Sequence, residues 1–514
     1  MRAFVLILLA LFLNATTLSV AAAAPPAART ASQPVAQPYS NPLTTDLPSA
    51  VIADLPDLSS PANLMLSKQE QAEIGYSMML QARQANALLD DPETSEYIQQ
   101  IGQRLASQST DGGAYFHYVV LRSDQVNSEA ITGGWVFIFT GLITFVRTES
   151  DLAAVMAHET AHITQNHIAR KFEEQKQATI ASLAAMLGAI LLGALSGGGG
   201  DAIEGGIVAS QGLAEQQELG FSRTVEEEAD RVGITYLAAA GFDPEAMADT
   251  FDDMMRMEGV QDAWVPAMLQ DHPVDQERIA AARARAALYP PAPDTSSPDF
   301  YMIQQRVRVL TAPGDEDLQR QYAQQIAQGD HSIGTMYGDA LALMQDDKAA
   351  QAVPILKNLI AQHGDLHLLY CALGQAQAQA GDMKAGLATF RLAERLFPRN
   401  VPITIRYAQT LMADGKNALA HQTLLDLFNI VDPTPDQIQL TARAASAAGD
   451  IGDAYYYMGV YQTETGNLPL AAEQYRLALN TPHLTHVQRA RITASLREVD
   501  DYLATMHQQS ASAE

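Results

Sequence analysis

The chain has 514 residues, which is enough for two or three domains that each bury their own hydrophobic core. Its 32 lysine and arginine residues against 59 aspartate and glutamate residues give a net charge of −27. This excess of acid argues against nucleic-acid binding and against electrostatic attachment to anionic lipid. Cys371 is its single cysteine, so an internal disulfide is excluded, and we expect a buried apolar thiol there.

The first residues have the pattern of a secretory signal peptide. Arg2 is followed by an apolar run from Ala3 to Leu13 and then by small residues, which predicts a signal over 1–23. An uncleaved membrane anchor is the alternative, although the apolar run is short for a bilayer span. Residues 24–61 contain eight prolines and predict a flexible arm.

Helical and strand-like sequence patterns alternate over residues 62–288 and predict a domain that contains both helices and strands. Ser67 and Glu70 have the spacing of a capping box at the start of a first helix. The further predicted elements, in chain order, are a helix over 95–107, strand-like runs at 116–121 and 135–143, a helix from residue 150, and a polar helix over 222–241. The proline-rich stretch 289–299 predicts a linker to the next domain.

An apolar segment at 178–195 has the length of a short membrane-spanning helix. A single crossing would place the residues before and after it in different compartments, where they could not form one site. The stretch that follows contains Asp201 and Glu204, which are poorly suited to lipid. Three interpretations stay open: a lid or membrane-facing hairpin beside the functional site, a buried core helix rich in Ala and Gly, and full membrane anchoring.

Residues 300–504 have a 34-residue period that is typical of tetratricopeptide repeats. The consensus positions of one repeat are occupied by Gly374, Gly386, Phe390, Ala393 and Pro398. Small residues let the two helices of a hairpin approach closely, and the bulky residue fills the groove between hairpins. A generic amphipathic helical domain is the alternative, but the pattern favours a solenoid that docks protein segments. Residues 505–514 predict a disordered tail.

The segment "VMAHETAHITQNH" (155–167) contains histidines and a glutamate at a spacing that binds metals. His158 and His162 lie four residues apart, so one face of a helix would present both imidazoles to a single Zn²⁺. Glu159 would lie beside the open coordination position, where it could take a proton from water as a general base. A surface helix with two solvated histidines is the alternative, but the apolar neighbours indicate a buried helix.

A catalytic zinc needs a third protein ligand, and the acidic cluster at 226–230 can supply it. Glu226 and Asp230 share a helix face, so Glu226 could bind the zinc while Asp230 orients a ligand histidine. A solvated acidic helix face is the alternative. His167 lies five residues after His162 and cannot join the same metal on an unbroken helix, so we expect a supporting or surface position for it.

These motifs resemble metallopeptidase family forty-eight, the gluzincins related to HtpX and Oma1. Within that family the chain is most similar to the periplasmic BepA type, which joins a peptidase domain to C-terminal tetratricopeptide repeats. The stretches that carry the resemblance are "SKQEQAEIG" (67–75), "VNSEAITGGWVFIFTGL" (126–142), "HETAH" (158–162) and "EEEADRVG" (226–233). The resemblance implies a mainly α fold, with a gluzincin-type α+β zinc peptidase domain that contains a small sheet, followed by an α-helical repeat solenoid.

The resemblance also implies roles for individual residues. One Zn²⁺ per chain would be held by His158, His162 and Glu226, with Glu159 as the catalytic base. His272 would reach the zinc from a loop and keep the enzyme latent, with Arg278 stabilising this switch. The substrate backbone would pair with an edge strand formed by Trp135, Val136, Phe137, Ile138 and Phe139.

By the same resemblance, the chain would be a periplasmic endopeptidase that degrades misassembled or stalled outer-membrane proteins. Its partners would be protein substrates and, through the repeats, the outer-membrane assembly machinery, with the segment 178–195 available for peripheral membrane contact. Two other functions stay open: a holdase or assembly factor with a mainly structural zinc, and a membrane-integrated zinc peptidase. An intact Glu159 favours an enzyme, because a structural zinc site needs no base.

Overall fold

The computed structural model describes residues 66–109, 116–174, 187–188, 221–260, 266–292, 296–314 and 316–513. The predicted signal peptide and proline-rich arm lie outside these ranges, and so does the apolar segment 178–195 except for residues 187–188. The described chain is mainly helical, with a small sheet in its N-terminal part. This confirms the predicted combination of an α+β part and a helical repeat part.

Helices and short strands alternate in the N-terminal part of the described chain. Their bounds are α1 (Lys68–Gln84), α2 (Pro92–Ala106), β1 (His117–Leu121), β2 (Ser128–Ile131), β3 (Trp135–Phe139), α3 (Thr140–Phe145), α4 (Glu149–Thr164), α5 (His167–Glu174), α6 (Arg223–Ala239), α7 (Ala246–Val260), α8 (Ala267–Asp271) and α9 (Gln276–Ala286). The predicted capping box at the start of α1 is present, because Ser67 and Glu70 each accept a hydrogen bond from the other's amide. Helix α4 packs against α6, α7, α2 and the sheet and is therefore central.

The strands form a sheet in the order β1-β3-β2. β1 runs parallel to β3 and β2 runs antiparallel to it, so β3 has a hydrogen-bonded neighbour on each side. The prediction that Trp135–Phe139 form an edge strand is therefore wrong. The physical reason lies in the turn before β3: Gly133 and Gly134, with φ of 80° and 88°, fold β2 back onto one side of β3 while β1 pairs with the other.

Strand β3 is shorter than the predicted run 135–143, because the chain turns into α3 at Thr140. Thr140 Oγ1 donates a hydrogen bond to the Ser123 carbonyl at 2.7 Å. A Cβ at Gly141 would lie only 2.3 Å from the carbonyl oxygens of Asp124 and Gln125, so this close approach requires glycine. Contact with the preceding loop thus ends the strand, and the apolar pattern of the sequence does not reveal that contact.

The two outer strands differ in whether their free edge is covered. Gln99 of α2 covers β1, because its side chain donates to the Phe116 carbonyl and accepts from the Tyr118 amide, as a neighbouring strand would. Further along, the Leu89 amide donates to the Val120 carbonyl of β1. No strand in the described ranges pairs with the outer side of β2, which is the open edge of the sheet.

The two faces of the sheet belong to different hydrophobic clusters. Val136 and Ile138 join the main core on the side of α4. Phe137 and Phe139 point to the other side, where they form a cluster with residues of α1 and with Leu187 from the described piece of the apolar segment. Among the described residues, no helix has the combination of length and apolar character that a membrane crossing requires.

From residue 298 onward the described chain consists of helices that pack mostly against their neighbours in sequence. A Cβ at Gly374 would lie 2.5 Å from the ring of Phe390, and a Cβ at Gly459 would lie 2.4 Å from the ring of Tyr475, so the small residues allow the close approach that the repeat pattern predicts. The bounds are α10 (Pro298–Thr311), α11 (Leu318–Ala327), α12 (Ile333–Gln345), α13 (Ala349–Gln362), α14 (His367–Gln379), α15 (Met383–Leu396), α16 (Val401–Ala413), α17 (Asn417–Phe428), α18 (Pro435–Ala448), α19 (Ile451–Glu464), α20 (Leu468–Leu479) and α21 (His486–Ala513).

Two further expectations for the repeat part can be compared with the structure. Cys371 is buried, as expected for an apolar thiol. The tail over 505–514, expected to be disordered, is instead helical as far as Ala513, where α21 ends. The reason is compositional: the segment contains no proline or glycine, so nothing in it stops a helix that continues from α21.

Buried ion pairs join the repeat helices to the start of α2. Asp91 and Glu93 are 4% and 0% exposed. Arg306 of α10 and Arg406 of α16 each lie 2.7 Å from Asp91 Oδ1, and both also pair with Glu93. Although burial disfavours the charged form of Asp91, the two arginines hold the pKa of its carboxyl well below the usual range. Because Asp91, Glu93 and Arg306 are buried and Arg406 is only 14% exposed, each charge depends on the others.

We expect Arg306→Ala to destabilise the protein by about 3–5 kcal/mol, because it leaves two buried carboxylates with one arginine fewer. Denaturant unfolding followed by circular dichroism measures this loss. Arg308→Ala is the matched control, since Arg308 lies in the same helix but is 35% exposed, and its removal should cost less than about 1 kcal/mol. Equal losses for the two variants would contradict the importance of the buried pairs.

Candidate metal-dependent active site

Helix α4 carries three of the predicted site residues. The Thr148 hydroxyl caps the helix by accepting from the Asp151 amide at 3.0 Å, and the Asp151 carboxylate accepts from the Thr148 amide at 2.9 Å. His158, Glu159 and His162 are 0% exposed. Because His158 and His162 are one turn apart, their imidazoles face the same way, with 3.0 Å between the two Nε2 atoms.

Close packing of α6 on α4 brings the third predicted ligand to this point. A Cβ at Gly233 would lie 3.1 Å from the His158 amide nitrogen, so a larger residue would push the two helices apart. Glu226 Oε2 lies 3.5 Å from His158 Nε2, and Glu226 Oε1 lies 3.7 Å from His162 Nε2. The structure therefore brings His158, His162 and Glu226 together.

His272 reaches the same point from the loop that follows α8. Its Nδ1 lies 3.0 Å from Glu226 Oε1 and 3.4 Å from His158 Nε2. One ligand atom from each of His158, His162, Glu226 and His272 lies within 4.8 Å of the other three. The loop histidine is thus a fourth potential metal ligand in this arrangement.

The segment that carries His272 is held against the open edge of the sheet. The Met268 amide donates to the Val126 carbonyl at 3.2 Å, just before β2 begins. Asn127 Nδ2 donates to Asp271 Oδ2 at 3.0 Å. The residues beside β2 therefore anchor the loop that brings His272 to the site.

The three predicted ligands fit a metal cation. His158 Nδ1 faces Asp230 Oδ1 at 3.0 Å, which leaves the lone pair of Nε2 for a metal. Two imidazole nitrogens and a carboxylate are a donor set that divalent transition metals prefer. The neighbouring acids also favour positive charge at this point. Burial alone would lower the pKa of His158, but hydrogen bonds and charge from Asp230 and Glu226 raise that pKa to about 10.

Arg278 joins the ligands to the loop of His272. Its Nε and Nη2 donate to the two oxygens of Asp230 at 2.9 Å each, and Nη1 donates to the Pro273 carbonyl at 2.6 Å. Nη1 also lies 3.1 Å from Glu226 Oε2. The guanidinium is buried, at 2% exposed, so it neutralises two enclosed acids and fixes the residue after His272 at the same time.

His167 and Glu228 form a second supporting group behind His162, and the sequence pattern does not indicate the part of Glu228 in it. The helix breaks at Asn166, whose φ is 54°, and this turns His167 back so that its Nδ1 lies 3.0 Å from His162 Nδ1. His167 Nε2 lies 3.3 Å from Glu228 Oε2, which also accepts from Arg170 at 2.9 Å. The sequence gives no indication that Glu228 belongs to the site, because residues two positions apart on a helix, such as Glu228 and Asp230, point in different directions.

Glu159 is held in place by β2, the open edge of the sheet. Its Oε2 accepts a hydrogen bond from the Ala130 amide of β2 at 2.8 Å. Its Oε1 has no hydrogen-bond partner among the described residues and lies 3.8 Å from His272 Nε2. Burial raises the pKa of the Glu159 carboxyl above its usual value. A buried carboxyl with a raised pKa and one free oxygen has the properties of a general base near neutral pH.

Comparison with known proteins agrees with this geometry. A sequence model of peptidase family M48 matches residues 92–286. The β-barrel assembly-enhancing protease of Yersinia pestis is 30% identical over 403 residues, which cover 77% of this chain and 81% of that protein. A putative β-barrel assembly-enhancing protease of Vibrio cholerae serotype O1 is 29% identical over 455 residues, covering 87% and 92% of the two chains.

Among solved structures, a thermophilic tetratricopeptide protein of Thermus thermophilus aligns with 38% of this chain at a TM-score of 0.23 and 17% identity. The relatives and the family model instead cover the helices that carry the two histidines, the glutamates and Arg278. With such similarity across most of two full chains, and with a buried glutamate beside two converging imidazoles and a carboxylate, this chain belongs to peptidase family M48 and is a metalloendopeptidase.

Proposed function

We propose that this chain is a zinc endopeptidase of the bacterial periplasm that degrades misassembled or stalled outer-membrane proteins. The observation that carries the catalytic part is the convergence of two imidazoles and a carboxylate beside a buried Glu159. The substrate class is supported by the name of the relatives, β-barrel assembly-enhancing protease. The periplasmic location is supported by the predicted signal peptide over 1–23.

One zinc ion per chain would be held by His158, His162 and Glu226. Zinc would supply the Lewis acidity that makes a water molecule acidic enough to lose a proton near neutral pH. Asp230 would keep His158 in the tautomer whose Nε2 binds metal, and His167 would do the same for His162. Arg278 would hold the Asp230 carboxylate in position through two hydrogen bonds.

Glu159 would accept the proton of the attacking water and pass it to the leaving amine. The Ala130 amide supports this role, because it holds one oxygen of Glu159 in place and leaves the other free. Burial raises the pKa of Glu159, which brings the carboxylate closer in basicity to water activated near neutral pH.

The substrate backbone would pair with β2 and not with β3, the strand first expected to do so. β2 is the open edge of the described sheet and lies directly beside Glu159. Main-chain hydrogen bonds to such an edge recognise extended peptides without requiring one sequence. A protease that removes misassembled proteins would need this kind of tolerance.

His272 would keep the enzyme latent by occupying the coordination position that the substrate needs. Its closeness to His158 and Glu226 supports this role, and so does the double anchoring of its loop through Asp271 and Arg278. The repeat helices would dock substrates or the outer-membrane assembly machinery, since solenoids of this kind present extended protein-binding surfaces. The segment 178–195 would provide peripheral membrane contact.

We expect His272→Ala, Glu159→Gln to lose casein cleavage by about 10²–10⁴-fold relative to His272→Ala, because the amide cannot accept the proton of water. Cleavage by the His272→Ala parent should stop when a chelator removes the metal and return when zinc is added. Metal analysis checks that the double variant still holds one zinc per chain. Undiminished cleavage by a zinc-loaded double variant would exclude Glu159 as the base.

We expect His272→Ala to cleave casein at least about tenfold faster than the unchanged protein, because the loop no longer fills the position that the substrate needs. Initial rates at equal zinc occupancy measure this gain. His331→Ala is the control, since His331 is an exposed histidine in the repeat part and its loss should leave the rate unchanged. If His272→Ala gives no gain, the proposed latency is wrong.

A further inference from the structure

Glu129 is a buried acid beside the active site that has no role in the proposed reaction. It is 6% exposed, and neither of its carboxylate oxygens has a hydrogen-bond partner among the described residues. Burying a carboxyl with both oxygens unpaired is costly, and such groups concentrate at functional sites. The fold therefore maintains an acidic group here that the side chains of the described residues do not satisfy.

Glu129 lies on the strand that the substrate would pair with. It stands opposite Phe137 of β3, and the outer side of β2 has no partner strand among the described residues. The next residue is Ala130, whose amide holds the base Glu159. Because side chains alternate along a strand, Glu129 and Ala130 point to opposite faces. Glu129 is thus one residue away from the catalytic base, on the other face of the edge strand.

The charges around Glu129 are mainly negative. Burial, followed by the charges of Asp271 and Glu159, raises the pKa of the Glu129 carboxyl to about 8. His272 is the positive group that acts in the other direction. If His272 leaves to admit a substrate, as proposed above, Glu129 and Glu159 remain without that neighbouring cation.

We propose that Glu129 makes this peptidase select substrates with lysine or arginine within two residues of the cleaved bond. The inference rests on the proposed function, in which an extended substrate pairs with β2. Residues directly opposite in paired strands have Cβ atoms about 4.5–5.5 Å apart, which is within reach of a long basic side chain. The substrate residue opposite Glu129 adjoins the one opposite Ala130, where Glu159 lies.

A cation satisfies Glu129 better than other side chains can. An ammonium or guanidinium group donates several hydrogen bonds and would pair with both orphan oxygens while offsetting the charge of Glu159. A hydroxyl or amide could donate one or two hydrogen bonds but would leave the negative charge uncompensated. An acidic side chain would place like charges together and be rejected. The net charge of −27 would also attract basic segments of an unfolded chain.

The test compares cleavage of a mixed peptide library by three zinc-loaded proteins that all carry His272→Ala. The first has no other change, the second adds Glu129→Gln, and the third adds Glu227→Gln. Glu227 is the matched control, because it is a neighbouring acid in sequence to the ligand Glu226 but is 48% exposed and pairs with Arg223. Mass spectrometry maps the cleaved bonds, and matched peptides with lysine or glutamine give kcat/KM.

We expect the first and third proteins to favour lysine or arginine within two residues of the cleaved bond. Glu129→Gln should reduce the preference for lysine over glutamine by about 10- to 100-fold while peptides without basic residues are still cleaved. Glutamine keeps the shape of Glu129 and is uncharged, as the carboxyl itself mostly is near neutral pH when its pKa is about 8, so thermal melting and zinc content should be unchanged.

The inference alone would be overturned if the first protein showed no basic preference or if that preference survived Glu129→Gln. Loss of cleavage of all peptides by a folded, zinc-loaded Glu129→Gln variant would also overturn it, because a residue that only selects substrates leaves neutral peptides cleavable. A first protein that cleaves no peptide at all would contradict the proposed function and the inference together.

Discussion

The active site depends on one constraint: its charged groups are enclosed, so each must be held by an opposite charge or a hydrogen bond. His158, Glu159, His162 and Glu226 are all at most 1% exposed. Burial of a lone charge is far more costly than burial of a matched pair, so the site is stable only as a connected set. Arg278 completes this set, because it is a buried cation that contacts Asp230, Glu226 and the backbone after His272 at once.

The same constraint explains why the ligand helices lie so close together. Glycine at position 233 lets α6 approach the His158 amide, and this approach brings Asp230 of α6 within hydrogen-bonding range of the His158 imidazole of α4, while Glu228 of α6 meets His167 of α5. Each of the two histidines then has its own supporting acid, directly through Asp230 for His158 and through His167 to Glu228 for His162. Orientation of both imidazoles is thus built into the packing of two helices.

Much of this arrangement could be predicted from the sequence, because helical spacing fixes which residues share a face. The pairs of His158 with His162 and of Glu226 with Asp230 follow from four-residue spacing alone. Asn166 could have signalled the break that returns His167 to the site, because asparagine adopts a positive φ more readily than other non-glycine residues and often ends helices, but the helical spacing alone does not show it. The order of the strands depends on long-range pairing that the sequence pattern does not show, so the edge position that the resemblance implies for β3 could not be checked against the sequence.

Latency and substrate recognition would compete for the same stretch of backbone. The segment that carries His272 is anchored at Val126 and Asn127, immediately before the strand that an extended substrate would pair with. A peptide that occupies β2 and continues toward Val126 would therefore displace these anchors as well as the histidine itself. A ligand shifts such an equilibrium only by the difference in its affinity for the two states. Because a long unfolded segment can replace more of these contacts than a short peptide can, the geometry favours opening of the enzyme by extended, unfolded substrates.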